Sequence, residues 1–101
     1  MLIAQTELVT VAAAGTPVQC TITEPCCAIF AYNPHAANAI YVGLAGLNKT
    51  TGANVIQAVA AAGVFNPILG NEGRNLIRPT DFWFDAAASS QTIEVTVWRN
   101  V

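Results

Sequence analysis

The sequence has 101 residues, of which 53% are hydrophobic and 10% are charged, and its formal net charge is −2. A typical soluble domain has about 25% charged residues, so small polar and apolar side chains must cover much of this surface, as suits a protein buried in an assembly. The four basic residues form no run or basic–aromatic stripe that would neutralise phosphates, which disfavours a nucleic-acid partner; they are Lys49, Arg74, Arg78 and Arg99.

The chain shows no linker, repeat or charge block, and we therefore treat residues 1–101 as a single domain. Residues 1–7 have no positively charged segment followed by a long apolar one, and no later apolar run approaches the roughly 18 residues of a membrane span. We expect synthesis and folding in a cytoplasm, with no membrane partner.

Short strands follow one another along the chain. Alternation is clear at residues 18–23, where Val18, Cys20 and Ile22 share one face. Runs of strand-forming residues bounded by Gly, Pro, Asn or Ser predict further strands. The predicted strands are residues 8–12, 18–23, 27–33, 39–43, 64–69, 81–86 and 92–99.

The last two predicted strands each carry a tryptophan. In residues 81–86 the pair Phe82 and Phe84 is expected in the core, which turns Trp83 and Asp85 outward. In residues 92–99 the alternation points Ile93, Val95 and Val97 inward and Trp98 outward.

These patterns predict an all-β fold, a small antiparallel β-sandwich or jelly-roll-like domain. Residues 53–62 fit less well, because Val55, Ile56, Val59 and Ala60 have helical spacing, so a short helix and a long loop both remain open there. Pro67 is expected at a strand edge or bulge, because it has no N–H to donate.

The sequence offers little for catalysis. Three cysteines, Cys20, Cys26 and Cys27, are expected to be reduced thiols packed as small apolar residues, and a bridge between Cys20 and one of the adjacent pair is the alternative. His35, the single histidine, is expected in an exposed turn, and without a C-x-x-C motif no metal or cofactor site is expected. Asp81 is the only carboxylate close to Asp85, and two residues four apart on a strand lie about 13 Å from each other, too far for a glycosidase pair. We expect no enzymatic activity.

Several segments together resemble small structural proteins of tailed-bacteriophage virions. These are residues 39–43 (Ala-Ile-Tyr-Val-Gly), Thr51-Gly52, an apolar stretch ending near Gly63, residues 81–87 (Asp-Phe-Trp-Phe-Asp-Ala-Ala), Ser89-Ser90-Gln91 and the closing strand into Trp98-Arg99. The likeness covers roughly residues 27–101. The chain departs from that pattern at Ala62-Gly63, where the family often has Pro-Gly, and at Ser90, where it has Gly.

The resemblance implies a β-sandwich that cements or decorates the capsid, with the major capsid protein as partner, the virion surface as location and no catalysis. A homotrimer at capsid three-fold positions is the expected oligomer, because closed cyclic symmetry satisfies identical interfaces. The expected interface residues are Tyr41, Trp83, Trp98 and Arg99, because Trp, Tyr and Arg are enriched at interface hot spots. A tail or vertex component and a carbohydrate-binding or receptor-binding module stay as alternatives.

Overall fold

Eight strands and two 3₁₀ turns form the regular structure of the residues that the computed structural model describes, namely 1–65, 68–69 and 71–101. The 3₁₀ turns are Asn71–Gly73 and Pro79–Asp81. The strands are β1 (Leu2–Val11), β2 (Val18–Gln19), β3 (Ala28–Tyr32), β4 (Ile40–Gly43), β5 (Val55–Val59), β6 (Ile68–Leu69), β7 (Trp83–Ala86) and β8 (Gln91–Asn100).

The strands form two antiparallel four-stranded sheets packed face to face, which confirms the predicted β-sandwich. Sheet I has the order β1-β8-β3-β6, and sheet II has the order β2-β7-β4-β5. In sheet I the two ten-residue strands β1 and β8 pair over their whole length, from Leu2 opposite Asn100 to Val11 opposite Gln91.

The core lies between the sheets, where the inward apolar side chains of both sheets pack against each other. Phe84, Ile93, Val95 and Val97 are fully buried there, as the sequence predicts. The rest of the core cluster consists of Val9, Val11, Cys20, Ile22, Cys26, Ile29, Ala31, Ile40, Val42, Val59, Phe65, Phe82 and Ala86.

Residues 53–62 are neither helix nor simple loop, and both expectations for this stretch were wrong. Residues 55–59 form β5, the edge strand of sheet II, in which Val59 pairs with Ile40 and Val55 with Gly43. Val59 packs into the core while Ile56 stays exposed. The β-branched residues Val55, Ile56 and Val59 favour an extended backbone, and the edge of β4 supplies the pairing that completes the strand.

Other boundaries differ from the predictions. The first strand is longer than predicted and spans residues 2–11, whereas regular pairing in the second stops after Gln19. Cys20 and Ile22 are nevertheless buried and Thr21 and Thr23 exposed, as the alternation indicates. Of the predicted strand 64–69, Val64 bridges to Tyr32 and residues 68–69 form β6, while Pro67 lies outside the described residues.

Candidate functional site

The outer face of sheet I is covered mainly by apolar side chains. Ala4, Trp98, Ala28 and Leu69 lie side by side across its four strands. The next outward row contains Thr6, Thr96 and Phe30, and the row beyond it Leu8, Glu94 and Tyr32. We call the outward set Leu8, Phe30, Tyr32, Leu69 and Trp98 the apolar face.

The apolar face is open to solvent and carries little charge. Trp98 is 37% exposed, Leu8 65% and Leu69 68%. The Thr6 and Thr96 hydroxyls hydrogen-bond to each other across the two strands at 2.9 Å. Within the described chain, Glu94 forms no ion pair, and it is the one charged residue in these three rows. Large exposed apolar patches on soluble proteins mark interaction surfaces.

The outer face of sheet II carries Trp83 in a cleft of about 520 Å³. Phe82 and Phe84 pack into the core, so the residue between them must point outward, as predicted. The indole is half-buried, and the cleft is lined by Gln19, Leu44, Ala45, Asn54, Thr80, Asp81 and Trp83.

A glycine in β4 allows one wall of this cleft to form. A Cβ at Gly43 would collide with the Asn54 carbonyl oxygen and come within 3.1 Å of Leu47 Cδ1. Without that Cβ, Asn54 lies against β4, where its carbonyl accepts a hydrogen bond from Leu44 N at 3.0 Å. The loop after β4 therefore folds back over the sheet beside Trp83.

Polar side chains around the cleft are partly engaged within the chain. Gln19 Nε2 donates to Thr80 O at 2.8 Å and Asn54 Nδ2 donates to Ala45 O at 3.1 Å. In neither side chain does the amide oxygen accept a hydrogen bond from the described residues. The Asp81 carboxylate, about half exposed, lies 3.5 Å from Arg78 Nε.

The four predicted interface residues do not share one surface. Trp83 and Tyr41 point away from the core on sheet II, whereas Trp98 points outward from sheet I on the opposite side of the sandwich. A flat contact with one partner can therefore include only one of the two tryptophans.

Arg99 is held in a polar network within the chain. Its side chain is 12% exposed, and Nη2 donates to Gln5 Oε1 at 2.6 Å. Its Nε lies 3.4 Å from Glu24 Oε2, an ion-pair distance, but it makes no hydrogen bond within the described residues. Glu7 extends the network by accepting from Gln5 Nε2 and Thr21 Oγ1. Arg99 thus ties the end of sheet I to the segment after β2.

Phe30, Tyr32, Leu8 and Leu69 belong to the apolar face but were not predicted as interface residues. The sequence contains a signal for two of them, because alternation in β3 turns Phe30 and Tyr32 away from the buried Ile29 and Ala31. The rows that join them to Trp98 depend on register, which the sequence does not reveal.

The two neighbouring aspartates, Asp81 and Asp85, line different clefts. Asp85 is 1% exposed, contrary to the expectation of an exposed outward residue, because the loops before β2 and after β4 cover it. Its Oδ1 accepts hydrogen bonds from Gly15 N at 2.9 Å and Ala86 N at 2.8 Å, while its buried Oδ2 has no partner among the described residues. Asp81 lines the cleft beside Trp83.

A smaller cleft of about 250 Å³ lies beside Asp85. Lys49 lines it and donates from Nζ to Ala86 O at 2.7 Å. The remaining lining residues are Gly15, Leu47, Asn48, Thr50 and Thr51. Lys49, in the loop after β4, bonds to β7 through Ala86 O, and Asp85 of β7 bonds to Gly15 in the loop before β2. These contacts fix both loops to sheet II.

His35 braces the backbone. It is half-buried rather than exposed, and Nε2 lies 2.8 Å from Thr92 O and 3.0 Å from Thr92 N at the start of β8. The turn that carries it is fixed by Asn33, whose buried Oδ1 accepts from His35 N and whose Nδ2 donates to Asn38 O, Val59 O and Ala60 O. This contact gives His35 a structural role.

The three cysteines are buried as free thiols. Burial raises the pKa of Cys20, and burial raises the pKa of Cys26 from 9.0 to about 11. The reactive form of cysteine is the thiolate, so both side chains are poor nucleophiles near neutral pH.

Among the described residues, no cluster of three or more His, Cys, Asp or Glu side chains is placed to hold a metal ion. That part of the chain also contains no helix long and apolar enough to cross a bilayer. Comparison of the sequence with protein families and curated proteins, and of the fold with solved structures, finds no match.

Proposed function

We propose that this protein is a virion structural protein that binds assembled capsid subunits and stabilises or decorates the head. The observation that carries the proposal is the apolar face of sheet I, where Trp98, Phe30 and Tyr32 lie on two adjacent strands. Exposed aromatic rings on a rigid sheet bury large areas against a partner at little cost in conformational entropy.

The charge distribution supports a large protein partner over a small ligand. The rows of the apolar face contain a single charged residue, Glu94, so the matching surface is itself mostly apolar, with a basic or polar group opposite that carboxylate. Coat subunits assembled side by side can offer such an extended surface, and the low charge of the whole chain suits a protein that stays assembled.

Ala62 departs from the phage virion pattern, because its φ of 58° is closed to the proline often found there, but Ser90 fits the pattern. The family pattern has glycine at this position, and the backbone of Ser90 has φ of 59°, the left-handed region that glycine adopts most readily. The local conformation thus fits the residue that the pattern prefers.

The proposed partner is the major capsid protein, the proposed location is the virion surface, and the proposed oligomer is a trimer.

Copy number per particle tests the proposal. Quantitative mass spectrometry of purified virions compares this chain with the major capsid protein. A ratio near one supports a role across the whole capsid lattice, a few copies per particle indicate a tail or vertex component instead, and absence from particles overturns the proposal.

A matched pair of tryptophan variants tests the surface. Trp98→Ala is expected to weaken binding to particles that lack the protein by about 2–4 kcal/mol, as loss of an interface hot spot does. Trp83→Ala, on the opposite sheet, is expected to leave that affinity unchanged. Equal affinities for the two variants would remove the apolar face from the proposal.

A further inference from the structure

We propose that the Trp83 cleft on sheet II is a binding site for a neutral saccharide. This inference does not depend on the proposed capsid function, because the cleft and the apolar face lie on opposite sides of the sandwich. It would add a second, outward-facing activity to a protein anchored through sheet I.

The dimensions of the cleft suit a small ligand. Its volume of about 520 Å³ falls within the roughly 300–1,000 Å³ typical of small-molecule sites. Its floor is built on strands, because Trp83 is paired with Gln19 of β2 on one side and with Gly43 of β4 on the other. A site on paired strands is held in place before the ligand arrives.

The lining combines an aromatic face with hydrogen-bond acceptors. The Trp83 indole offers a flat apolar surface on which the C–H face of a sugar ring can stack. Around it, the side-chain oxygens of Gln19 and Asn54 accept no hydrogen bond from the described residues and so remain available as acceptors. The Asp81 carboxylate adds further acceptor positions. A ligand that fits must therefore supply several donors, which the hydroxyl groups of a sugar do.

The local charge favours a neutral ligand over a cationic one. An indole and a carboxylate together can hold a guanidinium or ammonium group. Here Arg78 Nε already lies 3.5 Å from Asp81 Oδ2 and compensates its charge, so the cleft has no excess negative charge to attract a cation. Hydroxyl donors need no such excess.

Nuclear magnetic resonance can test the site directly, because the sequence contains only two tryptophans. Their two indole N–H signals in a ¹⁵N-correlation spectrum are assigned with Trp83→Phe and Trp98→Phe. Glucose, galactose, mannose and N-acetylglucosamine are then titrated separately into the tens-of-millimolar range, with argininamide as the cationic probe. We expect at least one sugar to shift the Trp83 signal in a saturable way while the Trp98 signal stays unchanged.

Two variants connect the shift to the cleft. Trp83→Ala is expected to abolish binding, as judged from the side-chain amide signals of Gln19 and Asn54. Asp81→Ala, at a half-exposed position, is expected to weaken sugar binding roughly tenfold or more, because it removes the charged acceptor that lines the cleft. Trp98→Ala serves as the control and should bind sugar like the parent.

Three outcomes would overturn the inference. They are a Trp83 signal that no sugar moves, equal shifts of both tryptophans, and a response to argininamide that exceeds the response to every sugar. The last would reassign the cleft to a basic side chain of a protein partner. None of these results bears on particle binding through sheet I, which the virion measurements test separately.

Discussion

Ser90 and Ala62 are two of the four described residues with side chains that adopt the left-handed backbone conformation, which suits glycine better. Ser90 has φ of 59° and Ala62 has φ of 58°. Left-handed geometry costs an L-residue roughly 1–2 kcal/mol, because its Cβ approaches the following carbonyl oxygen. Both positions lie in turns held by backbone hydrogen bonds. Ser90 N, just before β8, donates to Ala12 O, and Ala62 N donates to His35 O.

Ser90→Gly is predicted to stabilise the fold by about 0.5–1 kcal/mol. The gain is the relief of left-handed strain, reduced by the greater freedom of glycine in the unfolded chain. Urea unfolding at neutral pH measures it. The neighbouring change Ser89→Gly is the control, and it is expected to destabilise, because Ser89 Oγ accepts a hydrogen bond from Ala14 N. Lower stability for Ser90→Gly would contradict the strain argument.

At the scale of an element, the packing of β4 against the loop after it requires that Gly43 has no Cβ. The loop returns to the sheet because Gly43 leaves room for the backbone of Asn54, next to an irregularity in pairing between Val42 and Gly43. Backbone atoms cannot swing aside as a flexible side chain can, so a Cβ here must displace the loop.

Gly43→Ala is predicted to lower the free energy of unfolding by about 1–3 kcal/mol, as overpacking does. It should also change the environment of Trp83, because Asn54 forms part of the cleft. Urea unfolding and the Trp83 indole signal give the two readouts. Unchanged stability together with an unchanged indole signal would show that the loop does not need this contact.

The sequence predicts a strand well where one of its faces is apolar and the opposite face is polar or exposed. Residues 92–99 and 81–86 alternate cleanly, so the buried Ile93, Val95, Val97 and Phe84 and the outward Trp98 and Trp83 could all be placed. Residues 55–59 form an edge strand of Val, Ile, Gln and Ala, whose spacing also fits a helical face. Pairing with β4 decides between the two, and pairing is not a local property.

The candidate sites were less predictable than the strands. Sequence alternation turns each tryptophan outward but does not assign it to a sheet, so Trp83 and Trp98 could not be separated. Arg99 was expected at an interface, yet its guanidinium donates a hydrogen bond to Gln5, ninety-four residues earlier in the chain. Asp85 was expected on an exposed face, but loops cover it. All these contacts join residues that lie far apart in the sequence.

At the scale of the whole molecule, stability should fall in alkaline solution because the core contains thiols. Burial raises the pKa of Cys26 from 9.0 to about 11, so between these values the folded state keeps a proton that the unfolded state releases. The free energy of unfolding is then predicted to fall by on the order of 1 kcal/mol for each pH unit across this range. The stability associated with the protonated Cys26 thiol is fully present below pH 9.

The variant Cys26→Ala isolates this effect from those of the other side chains. Urea unfolding of both proteins is followed from pH 8 upward under reducing conditions. The parent curve is expected to fall more steeply above pH 9 than that of the variant. Parallel curves would show that the Cys26 thiol does not contribute to alkaline unfolding.

The arrangement of sheet I has a consequence for synthesis. β8 lies between β1 and β3, so the earliest strand has no neighbour in its sheet until the latest one has left the ribosome. Sandwiches built on such distant pairings fold in milliseconds to seconds. Throughout translation, Leu2, Ile3, Leu8 and Val9 remain on an unpaired segment that other chains can join. The nascent chain is therefore open to intermolecular strand pairing for longer than a helical protein of the same length, whose contacts are mostly local.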